Sequence, residues 1–179
     1  VPKGSTIAMN SLYGGAYGQS NTDVCDVYEA NVNYHSEDAR LHYIYGGNNN
    51  YRRTLYGFVN VTKPVQYMHE VHGLTTGSVY GGGYGQNSWS QYTEVNLNDG
   101  AEVWEVFGGG YGETATVYGA TSVSLLGGIV EGDIYGGGSR GNMKMLSGDA
   151  DKKVLSILEI YAGKVRRVFG GGLEGYIEG

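Results

Sequence analysis

One short signature occurs six times in the sequence: an aliphatic residue, an aromatic residue and then a run of glycines. The central copy is Val106-Phe107-Gly108-Gly109-Gly110. The other copies begin at Leu12, Ile44, Val79, Ile134 and Val168. Six copies in 179 residues constitute an internal repeat. A repeat restricts the chain to folds in which each unit packs mainly on its neighbours.

The spacing of the signature defines the repeat unit. The first glycines lie at positions 14, 46, 81, 108, 136 and 170, so the intervals are 32, 35, 27, 28 and 34 residues. The two shortest intervals are adjacent, and we therefore interpret the basic unit as 27–28 residues with insertions elsewhere. One insertion spans 63–76 and a polar one spans 147–153. Such insertions are typical of loops that point away from the core of a repeat protein.

Within one unit the pattern predicts three short strands. Residues 94–98 alternate apolar and polar side chains, which is typical of a half-buried strand. Asp99-Gly100 is a turn signal, a second strand is expected over 101–107, and a third over 114–118. No segment combines the 3.6-residue apolar period of a helix with capping residues, so almost no helix is expected. Residues 152–160 are a modest helix candidate, and a strand is favoured there too.

Stacking of equivalent strands would place equivalent side chains above one another. The aliphatic residues of the signature would form one column and the aromatic residues a second column. Because successive side chains of a strand point to opposite faces, only one column is expected to lie fully inside. We place the aliphatic column inside and the aromatic column outside or at a corner.

The glycines of the signature are interpreted as corners of the repeat. A corner repeated in every unit would need a positive φ and a close approach of neighbouring backbones, and glycine permits both. A phosphate-binding loop is the alternative, but no Lys-Ser/Thr pair and no helix follows these glycines. The structural role is therefore favoured.

These aliphatic-Tyr/Phe-Gly-Gly-Gly repeats resemble the Gly-rich repeats of bacterial surface and secreted proteins that fold as parallel β-helices. The resemblance covers about residues 12–172. It implies an all-β, parallel β-helix of five to six coils in a single domain over 1–179, located outside the cell or at its surface. Parallel crossovers favour right-handed coiling. The chain is expected to be a segment of a longer protein. The repeats would end near Gly15, Gly47, Gly83, Gly110, Gly138 and Gly172.

Composition narrows the classes of function. Gly accounts for 33 residues and Tyr for 17, so a disordered, self-assembling segment is an alternative. A hydrophobic content of 40% and the regular aliphatic column favour an ordered chain. A net charge of −6 disfavours nucleic acid as a partner. The longest uncharged run, 114–130, is too short and too polar to span a membrane.

No residue pattern indicates a metal or a cofactor, so none is expected. His69-Glu70-Val71-His72 is one residue short of the zinc-binding His-Glu-x-x-His spacing. Asp149 and Asp151 are interpreted as solvated rather than as calcium ligands. Cys25 is the only cysteine, which excludes a disulfide within the chain, and it has no evident histidine base.

Catalytic carboxylates are not evident either. The acidic residues are scattered, and no basic partner is expected one coil after Asp23 and Asp26. The doublets Arg52-Arg53 and Arg166-Arg167 are interpreted as solvated surface pairs. The acids considered are Asp23, Asp26, Asp38, Asp99 and Asp133.

The best candidate binding surface is a set of aromatic residues near the glycine corners. Exposed rows of aromatic side chains bind sugars by stacking on their apolar faces, and packing in the core or at corners is the alternative. The set comprises Trp89, Tyr92, Trp104, Tyr84, Tyr111 and Tyr17.

The sequence therefore predicts a non-catalytic structural or adhesive module. It would present an extended surface to a glycan or a protein, or associate with itself through open ends whose strand edges are unpaired. The alternative is a polysaccharide lyase, hydrolase or tailspike on the same scaffold. Two or three carboxylates converging in a groove would favour that alternative.

Overall fold

A computed structural model shows an all-β chain. It describes residues 7–20, 22, 26–145 and 153–178, and for residues 68–71 it describes the backbone alone. These residues contain seventeen strands and no helix. The strands are β1 (Ile7–Ala8), β2 (Ser11–Tyr13), β3 (Val27–Tyr34), β4 (Ala39–Arg40), β5 (Tyr43–Tyr45), β6 (Arg53–Val61), β7 (Gln66–Val71), β8 (Leu74–Thr76), β9 (Ser78–Tyr80), β10 (Trp89–Leu97), β11 (Glu102–Val103), β12 (Val106–Phe107), β13 (Thr116–Leu125), β14 (Ile129–Tyr135), β15 (Asn142–Lys144), β16 (Leu155–Ile160) and β17 (Lys164–Phe169).

The strands form three sheets that are mostly parallel. A six-stranded sheet has the order β15-β13-β10-β6-β3, with β16 also paired to β13. A seven-stranded sheet has the order β11-β14-β12-β9-β5-β2, with β17 also paired to β14. A four-stranded sheet has the order β1-β4-β7-β8, in which β7 and β8 are antiparallel. The predicted all-β class is confirmed.

Strand pairing in the two large sheets follows the repeat. Val106 pairs with Val79 on one side and with Ile134 on the other. In the six-stranded sheet, Leu97 pairs in the same way with Val61 and Leu125. Each strand thus lies beside the equivalent strand of the next repeat, and we call the strands contributed by one repeat a layer.

The central layers contain a long strand where the sequence pattern predicts two short ones, whereas β15 and β16 of the last layer remain separate. The predicted strand at 114–118 and the first strand of the next unit are joined in β13. The strand predicted at 114–118 ends immediately before Gly119, whose φ is 134°. The pairing register with β10 shifts at this point. Gly119 therefore forms a bulge, which bends a strand without ending it.

The aliphatic column is buried, as predicted. Its four central members are 0% exposed and pack against valines and leucines of the six-stranded sheet. The main core therefore lies between the two large sheets. The buried column members are Ile44, Val79, Val106 and Ile134.

The aromatic column is buried as well, so its predicted place outside or at a corner is wrong. Tyr45, Tyr80, Phe107 and Tyr135 are 1–7% exposed, and the ring centroids of successive members from Tyr45 to Phe169 are 4.8–5.1 Å apart. The aromatic side chains do point away from the aliphatic core. They form a second cluster because tyrosines that follow the glycines, such as Tyr84 and Tyr111, cover them.

The glycines of the signature are needed for close approach of backbones. A Cβ at Gly81 would lie 2.4 Å from the carbonyl oxygen of Gly108, and a Cβ at Gly108 would lie 2.3 Å from that of Gly136. None of the described signature glycines has a positive φ, so that part of the prediction is wrong. Positive φ occurs instead at the predicted turns, with 86° at Gly100 and 76° at Gly128.

The predicted insertion at 63–76 contains the β7–β8 hairpin. The amide of Gly77 donates a hydrogen bond to the carbonyl oxygen of Val65 at 2.7 Å, so the two ends of the hairpin are adjacent. The second predicted insertion lies outside the described residues, apart from Lys153.

Candidate functional site

The six aromatic residues of the predicted binding surface do not form one surface, because they lie in separate parts of the structure. Among the six predicted residues, all of whose side chains are described, the ring contacts join only Tyr84 and Tyr111. These two rings stack with centroids 5.6 Å apart and an interplanar angle of 4°. Both residues follow a glycine triplet by one position, so equivalent positions in two layers bring them together.

Tyr84 and Tyr111 line a pocket of about 210 Å³ whose walls are mainly phenol rings. Burial raises the pKa of Tyr13 and of Tyr45, so these phenols are neutral donors and acceptors. No charged side chain lines the pocket, which offers ring surfaces with a few neutral polar groups. The other lining residues are Asn10, Ser11, Tyr13, Tyr43 and Tyr45. Tyr84 and Tyr111 pack against the aromatic column at the same time.

Trp89 begins β10 and lines a different pocket, of about 220 Å³. The indole is 5.5 Å from the ring of Tyr118, edge to face, and the guanidinium carbon of Arg53 is 5.6 Å from the indole centroid. Glu113 and Lys144 also line this pocket, so it presents both signs of charge around a half-buried aromatic ring.

Tyr92 and Tyr17 lie apart from both pockets. The Tyr92 ring is 6.1 Å from that of Phe58, and its hydroxyl donates a hydrogen bond to Glu94 Oε2 at 3.2 Å. Tyr17 is 61% exposed and forms a β-bridge with Asn49, which in turn forms a β-bridge with Tyr84. Tyr17 thus continues the row that contains Tyr84 and Tyr111.

Trp104 borders a charged cluster that the sequence analysis missed. The guanidinium carbon of Arg166 is 5.9 Å from the Trp104 ring centroid. Arg166 and Arg167 each donate two hydrogen bonds to the Asp133 carboxylate, at 2.7–3.2 Å. The arginine side chains are 51% and 58% exposed, so the doublet is solvated as predicted, but it is also an ion-pair partner of Asp133, which the sequence did not indicate. Asp133 and the doublet are 33 and 34 residues apart, about one repeat, and that spacing was the available signal.

The Asp133 carboxylate is held in its charged form. Its side chain is 1% exposed, and hydrogen bonds from Arg167 and Arg166 hold the pKa of this carboxyl well below its usual range. Burial, followed by the charge of Asp133, raises the pKa of neighbouring Glu105. A carboxylate that is fully engaged by two guanidinium groups is a structural ion pair and a poor proton acceptor.

A smaller ion pair corrects another expectation. Arg53 contacts Asp26, so a basic partner does follow Asp26 one layer later. Its neighbour Arg52 is 6% exposed and donates from Nη2 to the carbonyl oxygen of Ser20 at 3.0 Å. The doublet Arg52-Arg53 therefore connects layers and is not simply a solvated pair.

A groove of about 660 Å³ runs along three stacked turns, with Asp99, Glu102 and Lys164 among its lining residues. Burial raises the pKa of Glu102, and the nearby Glu131 carboxyl raises it further. Glu131 also accepts a hydrogen bond from the Thr76 hydroxyl at 3.2 Å. Glu102 lines the groove and its carboxyl group interacts with that of Glu131, which is not among the lining residues.

Several residues considered as metal ligands or nucleophiles lie outside the described part of the chain: Asp23, Cys25, the His69 side chain, Asp149 and Asp151. His72 lies in the turn of the β7–β8 hairpin with a φ of 50°. Within the described residues, no group of three His, Cys, Asp or Glu side chains is placed to hold a metal ion.

In comparisons with known proteins, no family profile, no curated protein and no solved structure matches the chain. Across the described residues, no helix is long and apolar enough to cross a membrane.

Proposed function

We propose that the chain is a right-handed parallel β-helix of five to six coils and a non-catalytic structural or adhesive module that acts outside the cell. The observation that carries the proposal is the layer-by-layer register of the two large sheets. Val79, Val106 and Ile134 follow one another in one column, and the rings beside them stack in a second. A stack of equivalent layers repeats the same surface along its length, which suits an extended contact.

The outer face of the six-stranded sheet supports this role. Asn96 donates a side-chain hydrogen bond to Asn60 at 3.1 Å, and Asn60 donates one to Asn33 at 3.0 Å. Three layers therefore carry the same amide group in a continuous row. Such a face is regular and polar, and it suits contact with a long partner better than turnover of a small substrate.

Within this module, the tyrosine pocket at Tyr84 and Tyr111 is the proposed contact for a glycan. Phenol rings pack on the apolar face of a sugar ring, and neutral hydroxyls and amides bond to its hydroxyl groups. The volume of about 210 Å³ suits one sugar unit of a chain rather than a large ligand. Tyr17 would extend the contact along the same row.

The groove beside Glu102 and Glu131 supports a second candidate, a polysaccharide lyase or hydrolase on the same scaffold. The raised pKa of Glu102 is the property that a general acid needs. The buried Asp133 does not contribute to this candidate, because both of its oxygens are engaged by arginines.

Binding of soluble cello-, xylo- and chito-oligosaccharides, followed by nuclear magnetic resonance, tests the glycan contact. Tyr84→Ala should weaken binding about tenfold, since the loss of one stacking contact of about 1.4 kcal/mol corresponds to a factor of ten. Tyr176→Ala, which removes an exposed tyrosine outside the pocket, is the control. Equal losses in both variants, or an unchanged Tyr84→Ala, would contradict the assignment. Cleavage of an oligosaccharide that Glu102→Gln abolishes would favour the enzyme.

A further inference from the structure

The pocket beside Trp89 lies where a short side chain interrupts a row of longer ones. Trp89 pairs with Arg53 of the preceding layer and with Thr116 of the following layer, and Thr116 pairs in turn with Asn142. Paired residues of parallel strands direct their side chains to the same face of a sheet. Trp89, Thr116 and Asn142 all line the pocket of about 220 Å³, so the short Thr116 leaves the space between its two neighbours.

Layers on both sides of this pocket hold its walls in place. On one side, the guanidinium carbon of Arg53 is 5.6 Å from the centroid of the Trp89 ring. On the other side, the amide of Tyr176 donates a hydrogen bond to Asn142 Oδ1 at 3.3 Å, and Asn142 Nδ2 donates one to the carbonyl oxygen of Glu113 at 2.7 Å. The pocket therefore lies within the stack, and contacts between described layers set its shape.

Two charges of opposite sign line the pocket without neutralising each other. Glu113 is exposed and Lys144 is half-buried. Among the described residues, neither side chain forms an ion pair, either with the other or elsewhere. Glu113 precedes β13, whereas Lys144 pairs with Tyr118 further along that strand, so the two charges lie towards opposite ends of the pocket. A ligand with a single charge would meet one like charge there, and a ligand that carries both signs can match both.

The indole of Trp89 lies between these two ends, because Trp89 pairs with Thr116 in the middle of the lined segment. Cations bind over the faces of aromatic rings, and Trp binds them best. The ring of Tyr118 meets Trp89 edge to face with centroids 5.5 Å apart, and its hydroxyl is a donor at the lysine end. A methylated ammonium packs its methyl groups on a ring and needs few hydrogen-bond acceptors, so it suits this wall better than a free amine.

We propose that this pocket binds a small zwitterionic group in which a methylated ammonium is joined to an anion, as in phosphocholine. The ammonium would lie over the Trp89 ring at the Glu113 end, and the anionic group would contact Lys144 and the Tyr118 hydroxyl. The site is distinct from the tyrosine pocket at Tyr84, so it does not depend on the proposed glycan contact.

Nuclear magnetic resonance of the indole N–H groups follows the binding of phosphocholine to the 179-residue chain, which has two tryptophans. The Trp89 signal should shift and saturate, whereas the signal of Trp104, which does not line the pocket, should stay in place. Choline and inorganic phosphate each carry one of the two charges and should bind about two- to fivefold more weakly, as should O-phosphoethanolamine, which lacks the methyl groups.

Three outcomes would overturn the proposal or one of its parts. The first is an unchanged Trp89 signal up to about 20 mM phosphocholine, where a site with a Kd of about 1 mM is nearly saturated. Equal affinity for choline or inorganic phosphate would contradict a zwitterionic ligand, and equal affinity for O-phosphoethanolamine would contradict the methylated ammonium.

Two substitutions that keep the shape of the side chain separate the two charges. Lys144→Gln should weaken phosphocholine binding about two- to fivefold without weakening choline binding, whereas Glu113→Gln should weaken both. Lys153→Gln is the matched control, because it removes an exposed lysine that does not line the pocket, and it should bind like the wild type. Equal losses in Lys144→Gln and Lys153→Gln, or unchanged affinity in both pocket variants, would contradict the assignment.

Vesicles of phosphatidylcholine distinguish the possible sources of the group. Co-sedimentation of the chain with these vesicles, displaced by soluble phosphocholine and reduced in Lys144→Gln, would support a lipid headgroup as the ligand. Binding of soluble phosphocholine without co-sedimentation would support a group that is not part of a bilayer.

Discussion

At Gly108, hydrogen is the only side chain that the neighbouring layer allows. The carbonyl oxygen of Gly136 would be 2.3 Å from a Cβ at this position, and the Cβ of Thr121 would be 2.9 Å from it. The Thr121 hydroxyl donates a hydrogen bond to Gly136 O at 2.6 Å and so holds that oxygen in place. The requirement is steric, since φ at Gly108 is not positive.

Gly108→Ala is therefore expected to lower the free energy of unfolding by about 1–3 kcal/mol, the usual cost of overpacking. Gly170→Ala is the matched control, because it changes the equivalent residue of the last layer, where a Cβ meets nothing. The control should be neutral or about 0.4–1 kcal/mol more stable, through reduced entropy of the unfolded chain. Urea unfolding of monomeric samples measures both values. Equal destabilisation by the two substitutions would contradict the steric explanation.

At the scale of elements, Asp133 connects β14 to β17 in the seven-stranded sheet. Four hydrogen bonds from Arg166 and Arg167 converge on a carboxylate whose side chain is 1% exposed. The pKa of Asp133 is lowered in the folded chain, so its contribution to stability is present above the unfolded carboxyl pKa of about 3.9 and is lost as the pH falls below it. Glu105 and Glu102, whose pKa values are raised, act in the opposite direction.

Asp133→Asn should destabilise the chain at neutral pH, and its difference from the wild type should shrink as the pH falls from about 5 to about 2. Glu105 and Glu102 are present in both proteins, so the difference isolates Asp133. The measurement is urea unfolding at each pH, with Asp99→Asn as a control for the loss of one exposed negative charge. A difference that does not change over this range would show that the ion pair does not stabilise the β14–β17 contact.

At the scale of the whole molecule, most contacts join neighbouring layers. The central strands β10 and β13 have partners on both edges, whereas β2 and β17 are each paired on one edge in the described chain. Stability in such a stack is approximately a sum over layers and their interfaces, so the outer layers open most easily.

Amide hydrogen exchange of the 179-residue chain should therefore show a gradient. Protection is expected to be greatest in β10, β12 and β13 and to fall towards β1, β2 and β17. Uniform protection from β2 to β17 would indicate a single cooperative unit and would contradict the layered account.

One part of the candidate site could be predicted from the sequence and another part could not. The physical reason differs between the two parts. Tyr84 and Tyr111 occupy the same position of the repeat, so their stacking follows from register. Trp89 and Trp104 occupy different positions of the unit, so closeness in sequence to a glycine corner does not bring them together. The Asp133 pair was missed because neither an isolated acid nor an arginine doublet indicates a contact until the register joins them.

The repeat by itself determined the all-β class, the parallel pairing of equivalent strands and the burial of the aliphatic column, because a fixed spacing places identical side chains on one another. Only the tertiary structure decided that the aromatic column is also buried, since burial of the second face depends on where the chain runs after the glycines. It also decided that these glycines serve close approach without positive φ. The close approach depends on the distance between layers, which no single repeat contains.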